Sequence, residues 1–317
     1  MEPAQFLTAP RVTIVAGKGG VGKTTTAVAL GMAASSVGLR ALLVEVEGKS
    51  AIGSLFGVGV VGYEEVELIP PGRGEGGLRA RALTPDDALV EFLQDHGLKR
   101  VSNRLVSSGA LDMVVTATPG IKDVLILGKV KQLERAGTAD VIILDAPAAG
   151  HAITFLRSAQ GLLDAVKVGL IESQAREVCE LLADPTRCQV VLVTLPEETP
   201  VNELTETAFS LEDQVGVSLG PVVVNGAYPL LDGLDTDPEQ AAREVGANLK
   251  RGEAESLALA ANFRLERSAL QQVQISRLRQ ELPLPQLHLP FVFTSQLTRE
   301  DLASLADILI DEIGALK

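Results

Sequence analysis

The sequence predicts an α/β fold, a doubly wound and mainly parallel sheet with helical insertions. Three observations predict it. Short apolar runs bounded by turn residues recur at 11–16 (RVTIVA), 41–46 (ALLVEV), 140–145 (DVIILD), 189–194 (QVVLVT) and 221–225 (PVVVN), and read as buried strands. Stretches rich in Ala, Leu and Glu lie between them and read as helices. The first strand–helix–strand order runs at ~30 residues per unit, which implies a parallel α/β sheet.

Each element follows in order. Residues 1–10 are expected to be a disordered arm, and residues 11–317 one domain. After the strand at 11–16 come a glycine loop and a helix from Lys23 to Val37, which Gly38 stops. The strand at 41–46 is followed by a loop-rich stretch at 57–77 containing Pro70 and Pro71. From Thr84 to about Arg135 the pattern is helical. Pro85 suits a first turn, with Asp86 and Asp87 near the helix N-terminus, and Pro119-Gly120 restarts the helix. This part, at about 84–138, is expected to be a helical insertion. Residues 238–281 read as helix, 286–293 as a return to the sheet, and 298–315 as a final amphipathic helix.

Composition narrows the function. The chain has 317 residues, 28 Lys plus Arg against 41 Asp plus Glu, and a net charge of −13. Such a field repels phosphate backbones and anionic lipid, so no nucleic-acid partner is expected. No apolar run approaches the ~18 residues of a membrane span, and the start lacks a basic n-region and an apolar h-region, so a cytoplasmic setting is expected. Cys179 and Cys188 are too few for a disulfide framework or a zinc cluster and read as buried core thiols.

The chemistry is concentrated in Gly17-Lys18-Gly19-Gly20-Val21-Gly22-Lys23-Thr24, which satisfies the phosphate-loop pattern G-x-x-x-x-G-K-[ST]. Glycines allow successive N–H groups to turn toward phosphate oxygens, and the N-terminus of the next helix adds positive potential. Lys23 is expected to reach the β- and γ-phosphates, Thr24 to ligate Mg²⁺, and Thr25 to touch the α-phosphate. The loop's place between an apolar strand and a helix is the context the motif requires. Lys18, directly after the first glycine, marks the deviant form of this loop. In that group such a lysine resembles an arginine finger that reaches a partner's nucleotide.

With these residues in view, the chain resembles the ArsA family of ATPases, which includes arsenite-pump ATPases and those that target tail-anchored membrane proteins. The likeness extends from Arg11 to about Ile313 and is nearest to actinobacterial ArsA-like ATPases that occur as paired paralogues. It rests on VEVEGKS, PGIKDVLILGKVK, LDAPAAGH, VTLPEETPVNE and VVVN. The resemblance implies a P-loop NTPase fold of the SIMIBI type, ATP and Mg²⁺ as ligands, and hydrolysis in a dimer, either a homodimer or a heterodimer with a related ATPase, acting on a client or membrane partner that the sequence does not identify.

It also implies site residues. Glu47 stands where the family has the aspartate that orients the attacking water, and Glu45, two residues earlier on the strand, is the alternative. Asp145, at the end of an apolar strand, matches the Mg²⁺-water ligand, and the Gly150 N–H is placed for the γ-phosphate. Asn225 matches the adenine-reading asparagine, with Pro290 and Phe291 near the base. His151 begins the element that would carry the signal outward. Departures from the pattern bear on the expected activity. Ala146 and Ala149 replace both threonines of the family's D-T-A-P-T-G-H, so hydrolysis is expected to be slow or dependent on a partner.

No cysteine follows Cys188, so the family's zinc clasp is missing, and three Met argue against a methionine-rich groove for a client helix. Ile121, Val124, Leu125, Val130 and Leu133 read as helical core. Two rivals remain. One is a positioning ATPase like those that partition plasmids or place the division site, which needs a basic surface or tail. The other is a nucleotide-binding regulatory subunit with little hydrolysis of its own.

Overall fold

The strands expected from the apolar runs all form, and they assemble around the one that precedes the glycine loop. A computed structural model of the chain describes residues 2–46, 51–72, 74, 76–108, 120–147 and 149–316. The strands are β1 (Val12–Ala16), β2 (Ala41–Val46), β3 (Val66–Ile69), β4 (Leu78–Leu83), β5 (Val141–Asp145), β6 (Cys188–Thr194), β7 (Leu219–Ala227) and β8 (Gln286–Pro290). They form one sheet of eight strands in the order β3-β4-β2-β5-β1-β6-β7-β8. Every pairing is parallel except β3 with β4.

Twelve helices occur among the described residues. In chain order they are α1 (Pro3–Thr8), α2 (Lys23–Ser36), α3 (Ala51–Phe56), α4 (Pro85–Asp95), α5 (Lys99–Ser108), α6 (Ile121–Ala136), α7 (Ala149–Ala165), α8 (Leu170–Ala183), α9 (Glu198–Val215), α10 (Pro238–Glu244), α11 (Glu253–Glu281) and α12 (Arg299–Ala315).

Strand side chains alternate between two cores. Ile14, Leu42, Val44, Ile142, Leu144, Val190 and Leu192 join a cluster with α6, α7, α8 and α9 on one face. Val15, Leu43, Ile143, Val191 and Val193 join a second cluster with α2 and α12 on the other. Helices on both faces explain why the central strands β1, β2, β5 and β6 are buried at nearly every position and show no alternation. On the second face α2 lies very close to the sheet. A Cβ at Gly31 would stand 2.9 Å from Leu78 Cδ1 and 3.1 Å from Leu43 Cδ2, so glycine sets that approach.

Four expectations need correction. The first ten residues do not stay unstructured, because Pro3–Thr8 form α1 and Leu7 is buried in the α2–α12 core. The loop-rich stretch holds an edge strand, β3, paired antiparallel to β4. The four residues VELI are too short a run to stand out and bury only Leu68, and the arginines of LRARAL disguise β4. The helix expected over 238–281 is two helices. Gly246 and Gly252 hold left-handed backbone (φ +68° and +85°) in the connection between them. The late strand ends at Pro290 rather than at residue 293, although Phe291 still donates its N–H to Ala227 O at 2.9 Å.

Candidate nucleotide-binding site

β1 lies between β5 and β6, while β2, the next strand in sequence, lies beyond β5. The chain therefore winds outward in opposite directions from β1, and a crevice opens at the carboxyl ends of the strands there. The glycine loop sits at that point, joining β1 to α2.

Close approaches fix the loop's shape. A Cβ at Gly17 would lie 2.4 Å from Val193 O, so only glycine passes β6 at that position. Gly22 caps α2 with φ +91°, and a Cβ there would fall 2.1 Å from Asn225 Nδ2. Gly20 is also left-handed, at φ +86°. By contrast, a Cβ at Gly19 or Gly20 would meet nothing within 4 Å, so this part of the loop faces open space. No side chain caps the start of α2 and its first turn holds no acidic residue, which leaves the helix N-terminus fit for an anion.

The polar groups of the site come from distant parts of the chain. Thr24 Oγ1 donates to Asp145 Oδ2 at 2.6 Å, joining the first turn of α2 to the end of β5. Glu45 on β2 is in register with Asp145 on β5. By strand alternation both point to the α2 face, and Glu45 is 1% exposed. Lys23 Nζ donates to Lys18 O at 3.0 Å across the loop. Asn225 Nδ2 donates to Val21 O at 2.9 Å, so the residue expected to read a base also braces the phosphate loop.

A cavity of about 650 Å³ adjoins this constellation. Gly20, Thr24 and Thr25 line one part of it, and Asn225, Gly226, Pro290 and Phe291 another. The volume falls within the range of roughly 300–1,000 Å³ typical of ligand sites. Nearly all the expected binding residues are therefore gathered on one edge of the sheet. Gly150 lies in the first turn of α7. Glu47 lies outside the described residues. His151 is exposed on α7 and so is not a core histidine.

Several lining residues were not foreseen: Ser54 and Leu55 from α3, Leu195 after β6, and Val292 and 294–297 before α12. An aromatic group also escaped notice. Tyr228, Phe291 and Phe293 pack ring to ring at centroid distances of 4.8–5.6 Å, with Arg264 of α11 4.2 Å above Tyr228. The recurrence of aromatic residues just after β7 and β8 was the available signal.

The two thiols differ from each other. Cys188 is fully buried, and burial pushes its thiol up to about 12. Cys179 is only half-buried on α8, which corrects the expectation of two core thiols, and burial raises its thiol as well. Ile121, Val124, Leu125, Val130 and Leu133 are all buried core.

Comparison with known proteins identifies the family. Residues 10–168 match the family model described as anion-transporting ATPase. The chain belongs to the ArsA family of ATPases. It is 34% identical over 230 residues to the ATPase BagA of Mycobacterium tuberculosis, covering 70% of this chain and 67% of that protein. It is 26% identical over 272 residues to an arsenical pump-driving ATPase of Escherichia coli, covering 77% and 44%. It is 31% identical over 142 residues to the ATPase get3 of Schizosaccharomyces japonicus, covering 45% and 42%. Among the described residues, no helix of this ArsA-family chain is long and apolar enough to cross a membrane.

Proposed function

We propose that this chain binds Mg-ATP in the cavity beside the glycine loop and hydrolyses it as half of a dimer, coupling nucleotide state to a partner or client. One observation carries the reading: a single cavity is lined both by the loop residues suited to phosphates and by Asn225, Pro290 and Phe291, suited to a purine. The triphosphate would lie against the N–H groups of Gly19–Thr24, with Lys23 on the β- and γ-phosphates and Thr25 on the α-phosphate. The base would lie between the Asn225 amide and the Pro290–Phe291 turn.

The donor set fits a magnesium ion. Thr24 and Asp145 offer a hydroxyl and a carboxylate oxygen, hard donors already 2.6 Å apart. An ion held there would neutralise charge on the phosphates. The chain's own residues would do the rest. Gly150 would present its N–H to the γ-phosphate, Glu47 would orient the attacking water, and Lys18 would stabilise developing charge in the neighbouring subunit's site. Alanine at 146 and 149 supports slow or partner-dependent turnover. Burial of Leu302, Leu305, Leu309 and Ile313 argues against α12 itself serving as the membrane-surface helix of a positioning ATPase.

Calorimetry with Mg-ATP and steady-state turnover test this reading. Wild type should bind Mg-ATP, and Lys23→Ala should lose most of that affinity. Lys18→Ala should still bind but lose turnover by ~10³-fold. No binding heat from folded wild type would overturn the proposal, and wild-type turnover by Lys18→Ala would remove the trans lysine from it.

A further inference from the structure

The lysine that the proposed reaction sends to a partner is engaged inside its own chain. Lys18 Nζ lies 3.0 Å from Glu203 Oε1, a contact between the loop after β1 and the helix α9. The lysine's carbonyl meanwhile accepts from Lys23 Nζ at 3.0 Å, so the backbone beneath the side chain is anchored.

Glu203 is well placed to hold it. Its neighbours Val201 and Leu204 are buried against the sheet. The same stretch is tied to α11 by Glu197 with Arg267 at 3.0 Å and by Asn202 with Arg277. The carboxylate is thus fixed by a packed helix, and the lysine comes to it on a flexible four-carbon stem.

We propose that Glu203 is a positioning residue that parks the Lys18 ammonium in its own chain until a triphosphate in the neighbouring subunit takes it over. This rests on the reading of Lys18 as a trans cation. Relative magnitudes make the latch reversible. The lysine side chain is 40% exposed and the glutamate 33%, so water and salt screen the pair. An exposed pair of this kind shifts an equilibrium by about two- to five-fold. A triphosphate presents more negative charge than one carboxylate, so it draws the ammonium away once it is within reach. The latch then sets how readily separate chains engage and leaves the closed site's chemistry unchanged.

Two readouts test it. The first needs no nucleotide: the rate of reductive methylation of Lys18 in the folded chain, followed by mass spectrometry. Glu203→Gln should raise that rate about two- to five-fold, Glu203→Asp should stay nearer wild type, and added salt should raise the wild-type rate but not that of Glu203→Gln. The second is specific ATPase activity against protein concentration. Glu203→Gln should reach half-maximal activity at a several-fold lower concentration with unchanged maximal turnover, and the effect should vanish in a Lys18→Ala background. Unchanged methylation would overturn the latch, and so would faster methylation with lower maximal turnover, since Glu203 would then serve the lysine in the closed state. Absence of turnover in wild type at every concentration would instead remove the ATPase reading, with methylation still deciding the latch.

Discussion

The two faces of the sheet are built by different means. On the face covered by α2 and α12 the core is Ala, Val, Leu and Ile packed at short range, with Gly31 letting α2 approach Leu43 and Leu78. On the face covered by α6 to α9 the apolar core is crossed by buried charges. Lys131 is 4% exposed and donates to Gln174 and Glu177, each at 2.8 Å. Glu134 is 8% exposed and accepts from Arg187 at 2.7 Å. Arg81 is buried against the Tyr63 ring, and Tyr63 in turn donates to Glu91, which also holds Lys129. Burial and that hydrogen bond push the Tyr63 phenol well above its usual range.

Among the described residues, Glu45 is the one buried charge whose strand position faces α2, and it stands in register with Asp145. The helix that follows the phosphate loop is therefore held by apolar packing and by neutral hydrogen bonds such as Ser35 Oγ to Gly76 O at 2.7 Å, with Glu45 the buried carboxylate at the site. The elements after Asp145 lead to the face held by ion pairs. Shape resists small displacements because a packed core has few alternative arrangements, whereas ion pairs can exchange partners.

The largest expected effect is on the packed face. Leu309→Ala removes a side chain with no exposure and should cost about 2–5 kcal/mol, read from the denaturant midpoint at unchanged slope. A loss below about 1 kcal/mol would mean that α12 collapses onto the gap and the face is looser than described.

On the ion-pair face the cost should depend on which partner is removed. Glu177→Ala leaves the Lys131 ammonium buried with Gln174 and should cost about 1–3 kcal/mol. Lys131→Met should cost less, because the stem is replaced by apolar volume and the partly exposed Glu177 keeps Arg135 at 2.7 Å. Equal costs would show that the network contributes as a unit and not through its buried member.

The difference between the faces also decided what could be read from the sequence. The phosphate loop was legible from its own spacing, whereas Asp145, Asn225, Pro290 and Phe291 were singled out by the resemblance, and all of them lie at or near the carboxyl ends of strands. Ser54, Leu55 and 294–297 were not, because they reach the cavity only through tertiary packing and carry no spacing signal of their own. Lys131 and Glu134 fall among apolar residues of α6, and a buried pair and a surface charge look alike in sequence until the partner is placed. Glu203 closes the stretch VTLPEETPVNE, and nothing local in the sequence joins it to Lys18. β3 and α1 were missed for a related reason: segments of only four and six residues gain their order from the sheet edge and from α12.

Acid should act on the ion-pair face through Glu177. The hydrogen bond from Lys131 holds the Glu177 carboxyl below its ordinary value, opposed by burial and aided by the charges of Lys131 and Arg135. The folded value is thus depressed relative to an unfolded glutamate near ~4.3. A depressed carboxylate contributes stability that is fully present above the unfolded value and is lost as pH falls through the folded one. The stability difference between wild type and Glu177→Gln should therefore be flat from pH 7 to about 5 and shrink below about 4. The other acidic groups titrate in both proteins, so the difference isolates this one. Denaturant midpoints at matched ionic strength would measure it. A difference independent of pH down to about 3 would mean that Lys131 is held by Gln174 alone, and that an ammonium–amide hydrogen bond, and not the ion pair, holds α6 to α8.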